Sequence, residues 1–227
     1  VIPELEETYS MTQNEYHFGT VWEHTMMVLE GTKDDNMILR ISALLHDIGK
    51  IRVCTEEDGK IHFLKHELKS GEIIDELLRP LKFSNEIIKE VTFLVRNHMI
   101  CKTWGSECEY MKDKKLRRFQ YECKTEERFR NLMTIIDADN NAYAADKCMP
   151  KQVEFILSRT EAMKAEGSAM FGYKLPLTGK EIMDLKGIKP GSAVKECLDY
   201  LMKIAFVNPL RKKEEFVKHL LGYRLQK

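Results

Sequence analysis

The sequence predicts an all-α protein with one small β-hairpin and a C-terminal helical tail, on three observations. Apolar residues return at helical spacing in segment after segment. One short stretch instead flanks an Asp-Gly pair, and a run containing glycines and a proline interrupts the helical pattern about 60 residues before the end. The helical faces are carried by Val21, Thr25, Val28 and Leu29, by Ile38, Ile41, Leu44 and Leu45, and by Ile73, Ile74, Leu77 and Leu78. Further amphipathic stretches centre on Ile87 to Val95, Phe129 to Ile136 and Val153 to Leu157, with shorter ones near the C-terminus.

The hairpin is expected where Arg52-Val53-Cys54-Thr55 and Lys60-Ile61-His62-Phe63 flank Glu56-Glu57-Asp58-Gly59, because Asp-Gly suits a tight reversal. The interruption from Gly167 to Pro176 places a boundary near residue 168, dividing a main domain, 1–167, from a tail, 168–227.

Composition narrows the class. At 43% hydrophobic and 32% charged residues with six prolines, the chain buries a core and is neither disordered nor collagen-like. Lys plus Arg equals Asp plus Glu at 36 each, so no global positive field exists to hold nucleic acid. Contact with phosphates would have to come from local runs, Lys112-Asp113-Lys114-Lys115-Leu116-Arg117-Arg118 and Arg211-Lys212-Lys213, which read equally as solvated helix faces. The six cysteines show no CxxC spacing and are read as reduced thiols. The chain, which opens on Val1, shows neither an 18-residue apolar run nor a charged-then-apolar leader, so no membrane partner is expected and a cytoplasmic location follows.

The chemistry is concentrated in Ile41-Ser42-Ala43-Leu44-Leu45-His46-Asp47-Ile48-Gly49-Lys50. An apolar helix runs there into adjacent His and Asp, with Gly49 placed to end it. Burying two such polar side chains is costly unless something pairs with them, and a divalent metal would. Two more candidates are polar in core-facing positions: His24, on the face of Val21 and Val28, and Asp137, following Ile135-Ile136 at the end of another helix. No GxSxG or GxxxxGK[ST] string occurs, so covalent-hydrolase and P-loop chemistry fall away.

A histidine, then a His-Asp dipeptide, then a distant aspartate resembles the HD superfamily of metal-dependent phosphohydrolases. The likeness is tighter to one branch. Val21-Trp22-Glu23-His24-Thr25, Ala43 to Lys50, His66-Glu67 and Arg96-Asn97-His98-Met99 resemble, in order and spacing, the HD region of bacterial CCA-adding tRNA nucleotidyltransferases and their poly(A)-polymerase-like relatives. The resemblance implies an HD-domain helical bundle with His24, His46, Asp47 and Asp137 as ligands, and His66 and His98 as additions for a second metal. It implies one or two divalent ions per chain, manganese, magnesium, nickel, cobalt, iron or zinc, with Asp47 and Lys50 in the catalytic machinery and Lys50 holding a substrate phosphate. Nucleotide or RNA phosphoesters are the implied substrates, with tRNA as a further partner.

The remaining histidines carry weaker signals. His98 also continues the stripe Val91, Leu94 and Val95, as a core residue would. His17 could face the site entrance or be an ordinary loop residue, and His62 and His219 lack partners at ligand spacing and are left out.

In the tail, Thr178 is expected to cap a helix with Glu181 three residues on, and Pro190-Gly191 to precede a second helix from Ser192 to about Lys203. This stretch resembles the C-terminal part of the CCA-adding enzymes. Their nucleotidyltransferase head has no counterpart here, so nucleotide addition is not expected of this chain alone. Two readings follow: a metal-dependent phosphohydrolase, free-standing or part of a nucleotidyltransferase-like protein, or a noncatalytic RNA-positioning module of such a protein.

Overall fold

The structure, a computed structural model, describes residues 2–14, 17, 19–32 and 36–225. Among the described residues its regular structure is mainly helical, with one two-stranded antiparallel sheet. In order, the elements are α1 (Glu4–Glu7), α2 (Val21–Gly31), α3 (Met37–Leu45), α4 (Lys50–Val53), β1 (Thr55–Glu57), β2 (Lys60–His62), α5 (His66–Leu78) and α6 (Asn85–Asn97). They continue through a 3-10 turn (Lys102–Trp104) to α7 (Asp113–Cys123), α8 (Glu126–Asn141), α9 (Pro150–Ala165), α10 (Gly179–Lys186), α11 (Ser192–Val207) and α12 (Lys213–Gly222). Among the described residues no helix is long and apolar enough to cross a membrane.

The chain divides into two units, one formed by residues up to Tyr110 with Glu127–Phe155, the other by Met111–Glu126 with the residues from Ile156 onward. In the first unit, α2 is started by a capping box in which the Glu23 backbone N–H donates to Thr20 Oγ1 and the Thr20 N–H to Glu23 Oε2, at 3.2 and 2.7 Å. It buries Val21, His24, Thr25 and Val28, a single helical face. Asn36 caps α3 by accepting from the Ile38 and Leu39 backbone N–H groups. Leu45 and Ile48, which bracket His46-Asp47, lie in a core with Ile73, Ile74 and Leu78 of α5 and Ile88, Val91 and Val95 of α6. Hydrophobic burial on both sides therefore pins the His-Asp turn against α5 and α6.

Two local expectations change. The hairpin is shorter than the sequence suggests, because Lys50–Val53 is helical and Glu56 and Glu57 belong to β1. The reversal is the two-residue Asp58-Gly59, with φ of 50° and 71°, so that Glu57 faces Lys60 and Thr55 faces His62. Gly49 does not end α3 in a left-handed conformation. Its φ and ψ are −68° and −16°, and the position admits only glycine because an added Cβ would lie 2.4 Å from the Ser70 backbone nitrogen and 2.5 Å from the His66 carbonyl oxygen.

The second unit differs from the single cut expected near residue 168, since α7 and the residues from Ile156 join the tail. Polar chemistry explains the membership. Arg159 forms a paired ion contact with Asp113, Nε to Oδ1 at 2.9 Å and Nη2 to Oδ2 at 2.6 Å. Gln120, fully buried, donates to Thr160 Oγ1 and accepts from the Met170 backbone N–H. The run at 167–176 is thus a turn within one unit, opened by Gly167 at φ 70°. Beyond it, Thr178 and Glu181 form a capping box on α10, Gly187 ends that helix at φ 62°, and α11 extends to Val207 rather than Lys203. Met170, Ile182, Leu201, Phe206, Phe216 and Leu220 are among the residues of this unit's core.

Four of the eight basic residues in the two runs, Arg117, Arg118, Arg211 and Lys213, make internal contacts. Arg117 is buried at the end of α11, where its Nη1 donates to the carbonyls of Val207 at 2.9 Å and Phe206 at 3.4 Å, acceptors that a helix C-terminus leaves without intrahelical partners. Arg118 pairs with Glu122, Arg211 with Glu215 and Lys213 with Glu181. Arg117 is accordingly a helix-end clamp and not a surface phosphate contact. Arg117→Ala is expected to lower stability by about 1–3 kcal/mol by stranding those carbonyls. Lys114→Ala and Lys115→Ala should stay within about 0.5 kcal/mol of wild type, with urea unfolding midpoints as the check.

Candidate metal centre

In the first unit, five helices deliver histidines and aspartates to one place. His24 comes from α2. His46 and Asp47 follow α3, His66 opens α5, His98 follows α6, and Asp139 lies in the last turn of α8. All are buried, with His24 and His46 at 0% and Asp47 and Asp139 at 2% exposure.

Three of the histidines are held the same way. His46 Nδ1 lies 2.8 Å from the Ala43 carbonyl, His66 Nδ1 2.9 Å from that of Phe63 and His98 Nδ1 2.7 Å from that of Val95, in each case three residues back. His24 uses a distant carbonyl, Ala142, at 3.3 Å. A carbonyl oxygen only accepts, so each Nδ1 carries the hydrogen and, in the neutral ring, each Nε2 presents a lone pair inward. Those lone pairs face one another: His24 Nε2 to His46 Nε2 and His66 Nε2 to His98 Nε2 are both 3.3 Å. Nitrogen lone pairs at that separation repel unless a cation or proton lies with them.

The carboxylates complete two overlapping sets. Asp47 Oδ2 is 3.5 Å from His24 Nε2 and 3.2 Å from His46 Nε2, while its Oδ1 is 3.1 Å from His66 Nε2 and 3.7 Å from His98 Nε2. Asp139 Oδ1 is 3.1 Å from His24 Nε2 and 4.0 Å from His46 Nε2. Among the described residues, His24, His46 and Asp139 form one group able to hold an ion, and His46, Asp47 and His98 another, with the ligand atoms of each within 4.8 Å of one another. A third group adds His17 to His24 and Asp47. Mixed imidazole and carboxylate donors, oriented by backbone hydrogen bonds, fit a first-row divalent metal.

Two lysines balance the acids. Lys50, 1% exposed, places Nζ 2.7 Å from Asp47 Oδ2 and donates to Gln13 Oε1 at 2.6 Å. Lys102 places Nζ 2.9 Å from Asp139 Oδ2 and 2.8 Å from Asn140 Oδ1, over the Tyr143 ring at 4.0 Å. Asn140 in turn donates to Gln152, whose amide donates to the carbonyls of Cys101 and Gly105 on either side of the 3-10 turn carrying Lys102.

Electrostatics follows this geometry. Burial alone would raise the Asp47 carboxyl, but His46, Lys50 and His66 outweigh it and hold it well below its ordinary value. Burial opposes ionisation of Asp139 too, and Lys102 and His24 overcome it. Burial would lower His46, yet the neighbouring Asp47 carboxylate raises it. His98 and His17 are lowered to about 3, chiefly by burial, with Lys50 adding to the effect on His17, which keeps them neutral and able to donate lone pairs.

Asp137, the aspartate expected from the sequence, is not in this cluster. It lines a separate cavity with Met27, Glu30, Gly31 and Asn141, and burial raises its carboxyl. The sequence reading puts Asp137 at the end of its helix, after Ile135-Ile136, whereas α8 continues to Asn141. Asp139 then extends the buried stripe Leu132, Ile136, while Asp137 follows the face of Arg130 and Thr134. That 3.6-residue signal lay in the sequence, as did nothing comparable for Lys102 or Tyr143. His62, set aside on sequence, lines the cavity over the cluster together with His17.

This convergence of buried histidines and aspartates from five helices defines a site with residues able to hold a divalent metal. A family model for the HD domain matches residues 14–141, over half of the chain, and the chain belongs to that family, within the superfamily of metal-dependent phosphohydrolases. It is similar to the A-adding tRNA nucleotidyltransferase of Deinococcus radiodurans, 28% identical over 204 residues covering 87% of this chain and 45% of the relative. It is also similar to the CC-adding tRNA nucleotidyltransferase of Thermus thermophilus, 28% identical over 233 residues covering 98% of this chain and 49% of the relative. The chain spans about half the length of the curated relatives it matches.

Proposed function

We propose that this chain is a metal-dependent phosphohydrolase, a phosphomonoesterase or phosphodiesterase acting in the cytoplasm on nucleotides or RNA ends, within a tRNA nucleotidyltransferase-like protein. The observation that carries the reading is the paired inward-facing Nε2 atoms, 3.3 Å apart in both His24–His46 and His66–His98, with Asp47 between the pairs. Such a set would hold one or two divalent ions, with Asp47 facing both histidine pairs and Asp139 standing where Asp137 was expected. When bound, a divalent ion lowers the pKa of water and polarises a phosphoryl oxygen.

The chain's own side chains do the rest. A cavity of about 190 Å³ opens over the cluster, with Asp47, Lys50, His66, His98 and Asp139 in its lining. Lys50 orients Asp47 through the 2.7 Å contact and sets a compact positive charge against an entering phosphate. Lys102 holds Asp139 in the same manner. The Tyr143 phenol, pushed well above its ordinary value by burial and by both carboxylates, stays protonated as a hydrogen-bond donor at the wall.

The test is metal analysis of the purified protein, followed by hydrolysis of a generic phosphomonoester and of 2′,3′-cyclic nucleotides with manganese, magnesium, cobalt, nickel, iron or zinc added. His46→Ala and Asp47→Ala are expected to lose metal and activity together. Equal hydrolysis by wild type and both variants would sink the reading.

A second reading, a noncatalytic tRNA-positioning module, is favoured by Lys50 and Lys102, which already supply each carboxylate with a cation. On that reading the site holds a structural metal or none, and tRNA binding survives His46→Ala and Asp47→Ala.

A further inference from the structure

We propose that Leu64, with His62 beside it, forms an apolar rim on which the base of a nucleoside phosphoester rests, so that the site prefers nucleotides to small phosphoesters. The inference rests on the hydrolase reading for its substrate class, and it begins with size. A cavity of about 190 Å³ is smaller than the roughly 300–1,000 Å³ in which ligands of nucleotide size are usually enclosed. A phosphate and part of a sugar fill it, and the remainder of a nucleotide must lie across the mouth.

Leu64 lines that mouth and is 76% exposed. An exposed leucine alone means little, since much protein surface is apolar. This one, however, cannot retreat. The Phe63 carbonyl accepts from both Nδ1 and the backbone N–H of His66, at 2.9 and 3.3 Å, and the buried Phe63 ring lies 5.1 Å from Lys50 Nζ. On the other side Lys65 adopts φ 61°, a left-handed conformation that costs a non-glycine residue energy and persists only where its surroundings impose it. The turn that presents Leu64 is therefore fastened to a histidine of the metal cluster.

His62, from β2, stands on the same lining two residues away. A flat base laid on Leu64 gains dispersion contact and removes apolar area from water, a contact that does not itself read which base is present. The expected preference is for a nucleoside over a small alcohol as the esterified group, with little choice among bases.

The test compares wild type with Leu64→Ser and Leu64→Phe. Two measurements are made: KM and kcat for a nucleoside monophosphate and for glycerol 2-phosphate, and calorimetric Kd for a non-hydrolysable nucleoside phosphonate. Leu64→Ser should raise the nucleotide KM and the phosphonate Kd about ten-fold, leave kcat nearly unchanged and leave glycerol 2-phosphate unaffected. Leu64→Phe should restore both values. Hydrolysis that proceeds with no dependence on Leu64 for either ligand overturns the rim and leaves the hydrolase reading standing. Loss limited to Kd, with wild type inert toward both esters, overturns the hydrolase reading and retains the rim.

Discussion

Asp139→Asn is expected to abolish metal retention and lower phosphoester hydrolysis on the order of 10²–10³-fold, while Asp137→Asn leaves both within about two-fold of wild type. The two aspartates are two residues apart on one helix, so their side chains project about 200° apart around its axis. Only Asp139 meets the histidines, with Oδ1 3.1 Å from His24 Nε2, and only Asp139 has a lysine, Lys102, at 2.9 Å. An amide in its place keeps the volume and removes the charge, leaving the Lys102 ammonium without its carboxylate. Fold is controlled by circular dichroism and thermal melting, and metal content by elemental analysis. Retained metal in Asp139→Asn together with loss in Asp137→Asn would reverse the assignment.

The same pair differs in stability. Burial raises the Asp137 carboxyl above its ordinary 3.8, so the folded state binds this proton more tightly than the unfolded chain does. The stabilisation is complete below the ordinary value and is lost as pH rises through the raised one. At neutral pH the ionised form opposes folding, and Asp137→Asn should melt slightly above wild type.

Gly49→Ala is expected to destabilise the chain by about 3 kcal/mol and to weaken metal binding with it. Its backbone is helical, so no left-handed conformation is at stake. What matters is approach: the new Cβ would meet the Ser70 nitrogen at 2.4 Å, the His66 carbonyl at 2.5 Å and Ser70 Oγ at 2.8 Å. Two of these are backbone atoms of α5, which cannot swing aside, so the 46–49 turn must move away from the helix that carries His66. The Gly49 N–H also donates to Ser70 Oγ at 2.8 Å, and the 3.1 Å contact of Asp47 with His66 depends on the same closeness. A fall in Tm of about 6–12 °C follows from that energy for a chain of this length. Gly59→Ala is the contrast: nothing lies within 4 Å of its Cβ, and its φ of 71° costs only about 1–2 kcal/mol. A Gly49→Ala melt equal to wild type would refute the packing argument.

Much of this molecule is local, and what is local was legible. The faces of α2, α3, α5 and α6, the capping box of Thr178 with Glu181, and the Asp58-Gly59 reversal each depend on residues a few positions apart, and the helical class follows from them. So do the polar side chains standing on apolar faces, His24, His46, Asp47 and His98, which the structure brings together with His66 and Lys50. Asp139 was within reach of the same reasoning and was missed because α8 was ended too soon.

Other features carry no local signature. Arg117 reads as a surface charge until the end of α11 is laid beside it, and α7 belongs with the residues beyond Ile156 through contacts such as Arg159–Asp113. Lys102 looks like any lysine after a helix until Asp139 is placed against it, and Leu64 like any exposed leucine until a cavity opens beneath it. The sequence by itself determined the helices, their buried faces and the residue types able to hold a metal, because periodicity and capping act over one or two turns. Only the tertiary structure decided which aspartate meets the histidines, which lysines face the acids and what lines the mouth, because each of those is a distance of a few ångströms between groups far apart along the chain.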